Sequence, residues 1–158
     1  MAKVVVVEFL DPECGSCRAF YPKVKQLTKE FEGVRFDFRY MPYHRSSVLA
    51  AQVIEFAREQ DKGWQMLETL LERQAEWADR AEPQTKLIMS YARSVGLDMI
   101  ALQSAIDSGK YVDLIKQDEQ VGVEVGVKGT PSFFVNGRML MELGEESLRR
   151  LIQEELSK

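Results

Sequence analysis

The first forty residues carry a pattern that leaves few folds available. Val4–Leu10 is short, rich in β-branched residues and bounded by the turn signal Asp11-Pro12, so it reads as a buried central strand. Phe20, Val24, Leu27 and Phe31 then recur at the spacing of a helical apolar stripe, with Gly33 as its stop. Val34, Phe36, Phe38 and Tyr40 alternate with Arg35, Asp37 and Arg39, a strand with one covered face, closed by Pro42. Strand, helix, strand predicts a βαβ unit, whose two strands run parallel.

From Ser46 to about Val125 the pattern is helical. Val48, Ala51, Ile54 and Ala57 mark one segment, and Trp64, Leu67, Leu70 and Leu71 mark another. Pro83 is expected to begin a third, carrying Leu87, Tyr91 and Val95 and ending at Gly96, with shorter segments around Ile100–Ile106 and Tyr111–Val121. The Met and Trp residues of this block fall on helical apolar positions and read as core. Strand character returns at Ser132–Val135, the hairpin signal Asn136-Gly137 follows, and Arg138–Met141 is the expected return strand. Leu148, Leu151, Ile152 and Leu156 mark a closing helix. The order is βαβ, a helical block, then ββα. With no repeat, low-complexity tract or linker, residues 1–158 read as a single domain with 46–125 as a helical insertion.

Composition supports a packed α/β domain and excludes other classes. Hydrophobic residues make up 45% of the 158, enough for a sizeable core. Lys and Arg number 21 against 25 Asp and Glu, interspersed along the chain for a net charge of −4, which argues against nucleic acid as a partner. No apolar run exceeds the length of Val4–Val7, against roughly 20 residues for a membrane span. Met1-Ala2-Lys3 enters the valine run directly, so the expectation is either a cytosolic protein or one whose export segment has been removed.

The chain has two cysteines, Cys14 and Cys17, which excludes a stapling disulfide framework. They form Cys14-Gly15-Ser16-Cys17, placed between the end of a buried strand and the start of a helix. There the first helical N–H groups are unpaired and the dipole is positive, so a thiolate on Cys14 is stabilised and becomes a nucleophile. Cys17, one turn on, is placed to attack a mixed disulfide on Cys14 and release the substrate. A purely structural disulfide is a weaker reading, since closing so short a loop removes only about 2 kcal/mol of unfolded-state entropy. Zinc would need two more ligands, and the one histidine, His44, follows a strand end and reads better as a solvated loop residue than as a site residue. Pro22 lies inside an apolar stripe that runs on to Phe31, so it is expected to bend the helix rather than end it.

A strand ending Val-Glu-Phe-Leu, a turn, Cys-Gly-Ser-Cys and a helix with proline five residues on resembles the active-site unit of thioredoxin-fold proteins. The helical insertion and Gly129-Thr130-Pro131 ahead of a strand narrow the resemblance to the DsbA-like thiol:disulfide oxidoreductases, over essentially the whole chain. The resemblance implies a thioredoxin fold with a helical insertion, no cofactor, and exchange with the cysteines of other proteins. It also implies a membrane partner that reoxidises or re-reduces the site, and a periplasmic or otherwise extracytoplasmic location.

Residue by residue, the resemblance implies a cis Thr130–Pro131 bond beside the sulfurs, with the peptide groups of Thr130 free to pair with an extended substrate. It implies that Glu8, on the same strand face as Val4, Val6 and Leu10, relays the proton of the resolving cysteine. Strand alternation alone leaves Glu8 either a buried carboxyl or an exposed strand end. Two departures stand out. Gly15-Ser16 replaces the histidine-containing pair of DsbA, and Asp11 and Glu13 just before Cys14 are expected to oppose a thiolate, so weaker oxidising power is expected. A kappa-type glutathione-dependent transferase or isomerase, and a copper or zinc chaperone using Cys14, Cys17 and His44, are the alternative readings.

Overall fold

The computed structural model describes residues 2–158. β1 (Val5–Leu10), α1 (Gly15–Glu30) and β2 (Arg35–Tyr40) form the expected βαβ unit, with the strands parallel from Val5 opposite Arg35 to Leu10 opposite Tyr40. The helical block follows as α2 (Ser47–Arg58), α3 (Gly63–Glu72), α4 (Gln74–Trp77), α5 (Thr85–Val95), α6 (Met99–Asp107) and α7 (Val112–Glu124). The chain returns through β3 (Ser132–Val135), β4 (Arg138–Met139) and α8 (Glu145–Leu156). The sheet runs β2-β1-β3-β4, with β3 antiparallel to both its neighbours. The strand that feeds the cysteine motif is therefore internal and paired along both edges.

One face of the sheet is covered by α1 and α8, which meet it through Val6, Phe20, Leu27, Phe133, Leu148 and Ile152. On the other face α7 comes so close that a Cβ on Gly122 would run into Met41 and Phe9. The helical block builds its own apolar cluster around Ile54, Met66, Leu70 and Trp77, and that cluster takes in Leu10, Phe38, Tyr40 and both cysteines. Cys14 and Cys17 thus sit at the seam between the βαβ–ββα frame and the inserted helices. Asn136 and Gly137 adopt φ of 48° and 82°, the left-handed pair that a tight hairpin turn between twisted strands requires.

α1 continues past Pro22, as expected, and ends at Glu30, ahead of Gly33. Several other expectations need adjusting. Pro83 precedes α5 instead of beginning it, because the helix opens at Thr85. β4 stops at Met139 rather than Met141: Leu140 N–H still donates to the Phe133 carbonyl, but two residues further back, just ahead of β3, stands Pro131, which has no N–H to continue the ladder. Val48 and Ile100 lie on apolar stripes yet face outward, as α2 buries Ala50, Val53 and Ile54 and α6 buries Leu102 and Ala105. Trp77 and Met66 are core residues as expected, whereas Trp64 is exposed at the edge, with its ring 4.6 Å from that of Phe38. Among the described residues no helix is long and apolar enough to cross a membrane.

Candidate active site

Cys14 is the N-cap of α1, and the geometry of that cap makes it reactive. Its backbone is extended (φ −80°, ψ 123°), its N–H donates to the Asp11 carbonyl at 2.9 Å, and its sulfur accepts the Cys17 N–H at 3.4 Å. The thiol form can also donate to the Thr130 carbonyl, 3.5 Å from the sulfur. Hydrogen bonding from the Cys17 side chain, aided by the Thr130 side chain and the N–H groups of Ser16 and Cys17, draws the Cys14 thiol from an ordinary 9.0 down to about 5, although burial pushes the other way. Cys17 behaves oppositely. The hydrogen bond to Cys14 and burial hold its thiol protonated far above the usual range, and it is 1% exposed against 9% for Cys14. Both cysteines are free thiols in this structure.

Glu8 is buried, 4% exposed, on the β1 face that carries Val4 and Val6. Burial, with the Cys14 charge adding to it, raises its carboxyl from 4.5 to about 8. Among the described residues no hydrogen bond offsets that rise, and of the two placements open to Glu8 the buried one is found. On the far side of the sulfurs the Thr130–Pro131 bond is cis, as the resemblance implied for Pro131. An open cleft of about 380 Å³ begins there, lined by Thr130, Pro131, Phe133, Met139, Met141 and Leu143.

The opposition expected from Asp11 and Glu13 is not among the main influences on Cys14: both side chains are buried and turned to other work. Asp11 accepts the Glu13 N–H at 3.0 Å and the Ser47 hydroxyl at 2.6 Å through one oxygen, and the Tyr43 N–H at 3.0 Å through the other. That second oxygen also lies 2.6 Å from His44 Nδ1. Glu13 accepts the Ser46 N–H at 2.9 Å and the Asp79 N–H at 3.1 Å. Backbone and hydroxyl donors from Glu13, Tyr43, Ser46, Ser47 and Asp79 hold the two side chains to this work. His44 is an exposed loop residue, as expected, but it is tied to Asp11. Its hydrogen bond to Asp11 raises its pKa, and it lines one open cleft with Gly15 of the cysteine motif. Among the described residues no three His, Cys, Asp or Glu side chains converge as a metal would require.

One further residue touches the motif. Gln74 of α4, 6% exposed, donates from Nε2 to the carbonyls of Pro12 and Cys14, each at 2.9 Å. Nothing in the sequence pointed to it, since α4 is too short to show a periodic stripe and its partners lie some sixty residues away.

The thioredoxin family profile, described as Thioredoxin, matches residues 1–154. The chain belongs to the thioredoxin family. Within it, the solved structure of oxidised BdbD from Bacillus subtilis superposes with a TM-score of 0.85 at 25% identity, over 99% of this chain and 89% of that one. BdbD is the Disulfide bond formation protein D of that organism. A thioredoxin-like oxidoreductase from Silicibacter pomeroyi superposes at 0.83 with 26% identity, over 99% and 88% of the two chains. A curated Na(+)/H(+) antiporter, NhaA 3 of Salinispora tropica, is 34% identical over 140 residues, 87% of this chain but 21% of its own length. The chain thus spans about a fifth of the length of the antiporters that it matches. The DsbA-like resemblance drawn from the cysteine motif and the Thr-Pro agrees with these thioredoxin-family neighbours.

Proposed function

We propose that residues 1–158 form one thioredoxin-like domain, with 46–125 as its helical insertion, that catalyses thiol–disulfide exchange with cysteines of other proteins. One observation carries the reading: Cys14 is an acidic, N-capping thiol beside a buried Cys17 that stays protonated. The Cys14 thiolate attacks one sulfur of a substrate disulfide, forming a mixed disulfide and expelling the other sulfur as a thiolate. Cys17 then loses its proton and attacks the Cys14 sulfur, closing the Cys14–Cys17 disulfide and releasing the second substrate thiolate. Two electrons pass from the dithiol to the substrate, and the reverse sequence oxidises a substrate dithiol.

Glu8 serves the second step. While Cys14 is a thiolate, its charge helps keep Glu8 protonated. Formation of the mixed disulfide removes that charge, so Glu8 becomes a better base when Cys17 has to give up its proton. Thr130 offers its peptide groups to an extended substrate backbone, and the cleft beyond Pro131 accepts the apolar side chains that flank the substrate cysteine. No resident cofactor is needed, because the electrons reside on the sulfurs. The proposal includes a membrane-bound redox partner and an extracytoplasmic workplace, a reading supported by the similarity to Disulfide bond formation protein D and to a segment of membrane antiporters.

Trapping tests this reading. Cys17→Ser keeps the nucleophile and loses the resolving thiol, so reducible adducts with disulfide-bearing proteins accumulate, while Cys14→Ser traps little and alkylates slowly. Equal trapping by both variants, or none by either, overturns it. Equilibration of the native chain with graded glutathione buffers fixes the direction of electron flow. A Cys14 thiol near 5 lies between the thiols of thioredoxin and DsbA, so the expected potential lies between about −270 and about −120 mV.

A further inference from the structure

We propose that Gln74 is a positioning residue of the redox site, its side-chain amide holding the Pro12 and Cys14 carbonyls so that the Cys14 sulfur faces the first turn of α1. The inference rests on the oxidoreductase reading and makes the helical insertion part of the reactive centre. An amide nitrogen carries two hydrogens, and here each has one acceptor, the Pro12 carbonyl and the Cys14 carbonyl at 2.9 Å. Two carbonyls as partners also fix which end of the amide faces them, since its oxygen could not bond to either.

The Cys14 peptide is thereby held from both directions. Its N–H is bound to the Asp11 carbonyl at 2.9 Å, and its carbonyl accepts from Gln74 and, at 3.2 Å, from the Arg18 N–H of the first helical turn. That carbonyl is where α1 begins, and its orientation decides whether the N-cap side chain points at the helix N–H groups. Gln74 can enforce it because Gln74 is itself immobile. α4 is anchored by Trp77, fully buried, whose indole N–H donates to the Leu70 carbonyl at 2.8 Å, and the Ala78 N–H closes the turn onto the Gln74 carbonyl at 2.9 Å. A supporting residue with locked rotamers holds a reactive group more tightly than one on a free loop.

The test separates positioning from stability by pairing two buried glutamines of the insertion. Gln52 of α2 is 8% exposed and its Oε1 has no partner, so Gln52→Met changes buried polarity without touching the cysteine motif. Gln74→Met removes both clamping bonds at similar volume. The readouts are the thiolate ultraviolet absorbance of the reduced chain against pH, the alkylation rate against pH, and the unfolding midpoint. Gln74→Met is expected to move the thiolate titration upward by about one unit and to slow alkylation in mildly acid solution about fivefold or more, while Gln52→Met leaves both where the native chain has them. Should Gln74→Met not fold, Gln74→Asn, whose amide is one methylene short of both carbonyls, is read the same way. An unshifted thiolate titration in a folded Gln74 variant overturns the inference, even if its stability falls. An ordinary thiol titration in the native chain would instead sink the oxidoreductase reading, so the two failures are distinguishable.

Discussion

Two buried acidic regions flank the cysteine pair, and they are built on opposite plans. Below it, Glu8 projects from β1 into an apolar layer with no hydrogen bond to offset burial, and its carboxyl is pushed up to about 8. Beside it, Asp11 is fully buried but meets donors from Glu13, Tyr43, His44 and Ser47, while Glu13 is met by Ser46 and Asp79. Burial without donors makes a carboxyl exchange its proton near neutral pH; burial with donors makes it a structural clip. On the proposed mechanism the first kind lies where a proton has to move, and the second lies where a turn has to stay still.

The largest effect that would sharpen this contrast is on stability. Asp11→Ala strands the Glu13 N–H and the Ser47 hydroxyl in the interior and releases His44, so it should cost about 3 kcal/mol in urea unfolding, a typical sum for buried donors left unpaired. Glu8→Gln should cost none. Equal losses for the two variants would erase the distinction between clip and proton carrier.

Next comes Glu8→Gln in exchange kinetics. The amide cannot accept and return a proton, so resolution of mixed disulfides at neutral pH should slow by about 10- to 100-fold with the fold intact, read by stopped-flow quenching of the adduct. The same variant carries a pH signature in the reduced state. Glu8 titrates near 4.5 unfolded and near 8 folded, so the native chain binds a proton there that the unfolded chain has lost. Stability attributable to Glu8 therefore falls as pH rises from about 4.5 to about 8 and is constant outside that window. Glu8→Gln should gain on the native chain across that range and nowhere else. Cys14, shifted down from 9.0 to about 5, contributes the reverse slope between those values, and Glu8→Gln leaves that slope in place.

How much of this was legible beforehand follows from how local each signal is. The βαβ unit, the hairpin at Asn136-Gly137 and the closing helix are written in periodicity and turn chemistry, and the cysteine motif declares itself by lying between a strand and a helix. Glu8 was visible as a charge on an apolar strand face, although alternation could not say whether that face was covered at its end. Asp11 and Glu13 were misjudged because proximity in sequence was taken for proximity of charge, while all but one of the donors that hold them lie 32 to 66 residues away. Gln74 was invisible for the same reason. The local frame is encoded in neighbours; the environment of the sulfurs is assembled from residues far apart in sequence, Glu8, Gln74 and Thr130 among them, and becomes readable only once the chain has folded.

The smallest effect expected belongs to the pair in which the two plans meet solvent. His44 lies 2.6 Å from Asp11 but its own side chain is 45% exposed, so water screens the attraction and His44→Gln should lower stability by no more than about 1 kcal/mol. Its pH dependence identifies it. The Asp11 hydrogen bond raises the imidazole above its ordinary 6.5, so the folded chain holds the proton longer than the unfolded one as pH rises. The stabilisation from the charged pair is complete below the unfolded value and is lost as pH climbs through the folded one. Native and His44→Gln unfolding curves should therefore differ in acid solution and converge in alkaline solution, the opposite trend to that expected for Glu8→Gln. Because His44 lines the cleft next to Gly15, the same variant should also slow attack on disulfide substrates that carry an acidic residue beside the cysteine, modestly and only at low salt. A difference that persists unchanged through the alkaline range would mean that His44 holds Asp11 as a neutral donor, and that the clip beside the sulfurs is a hydrogen-bond device without a charge component.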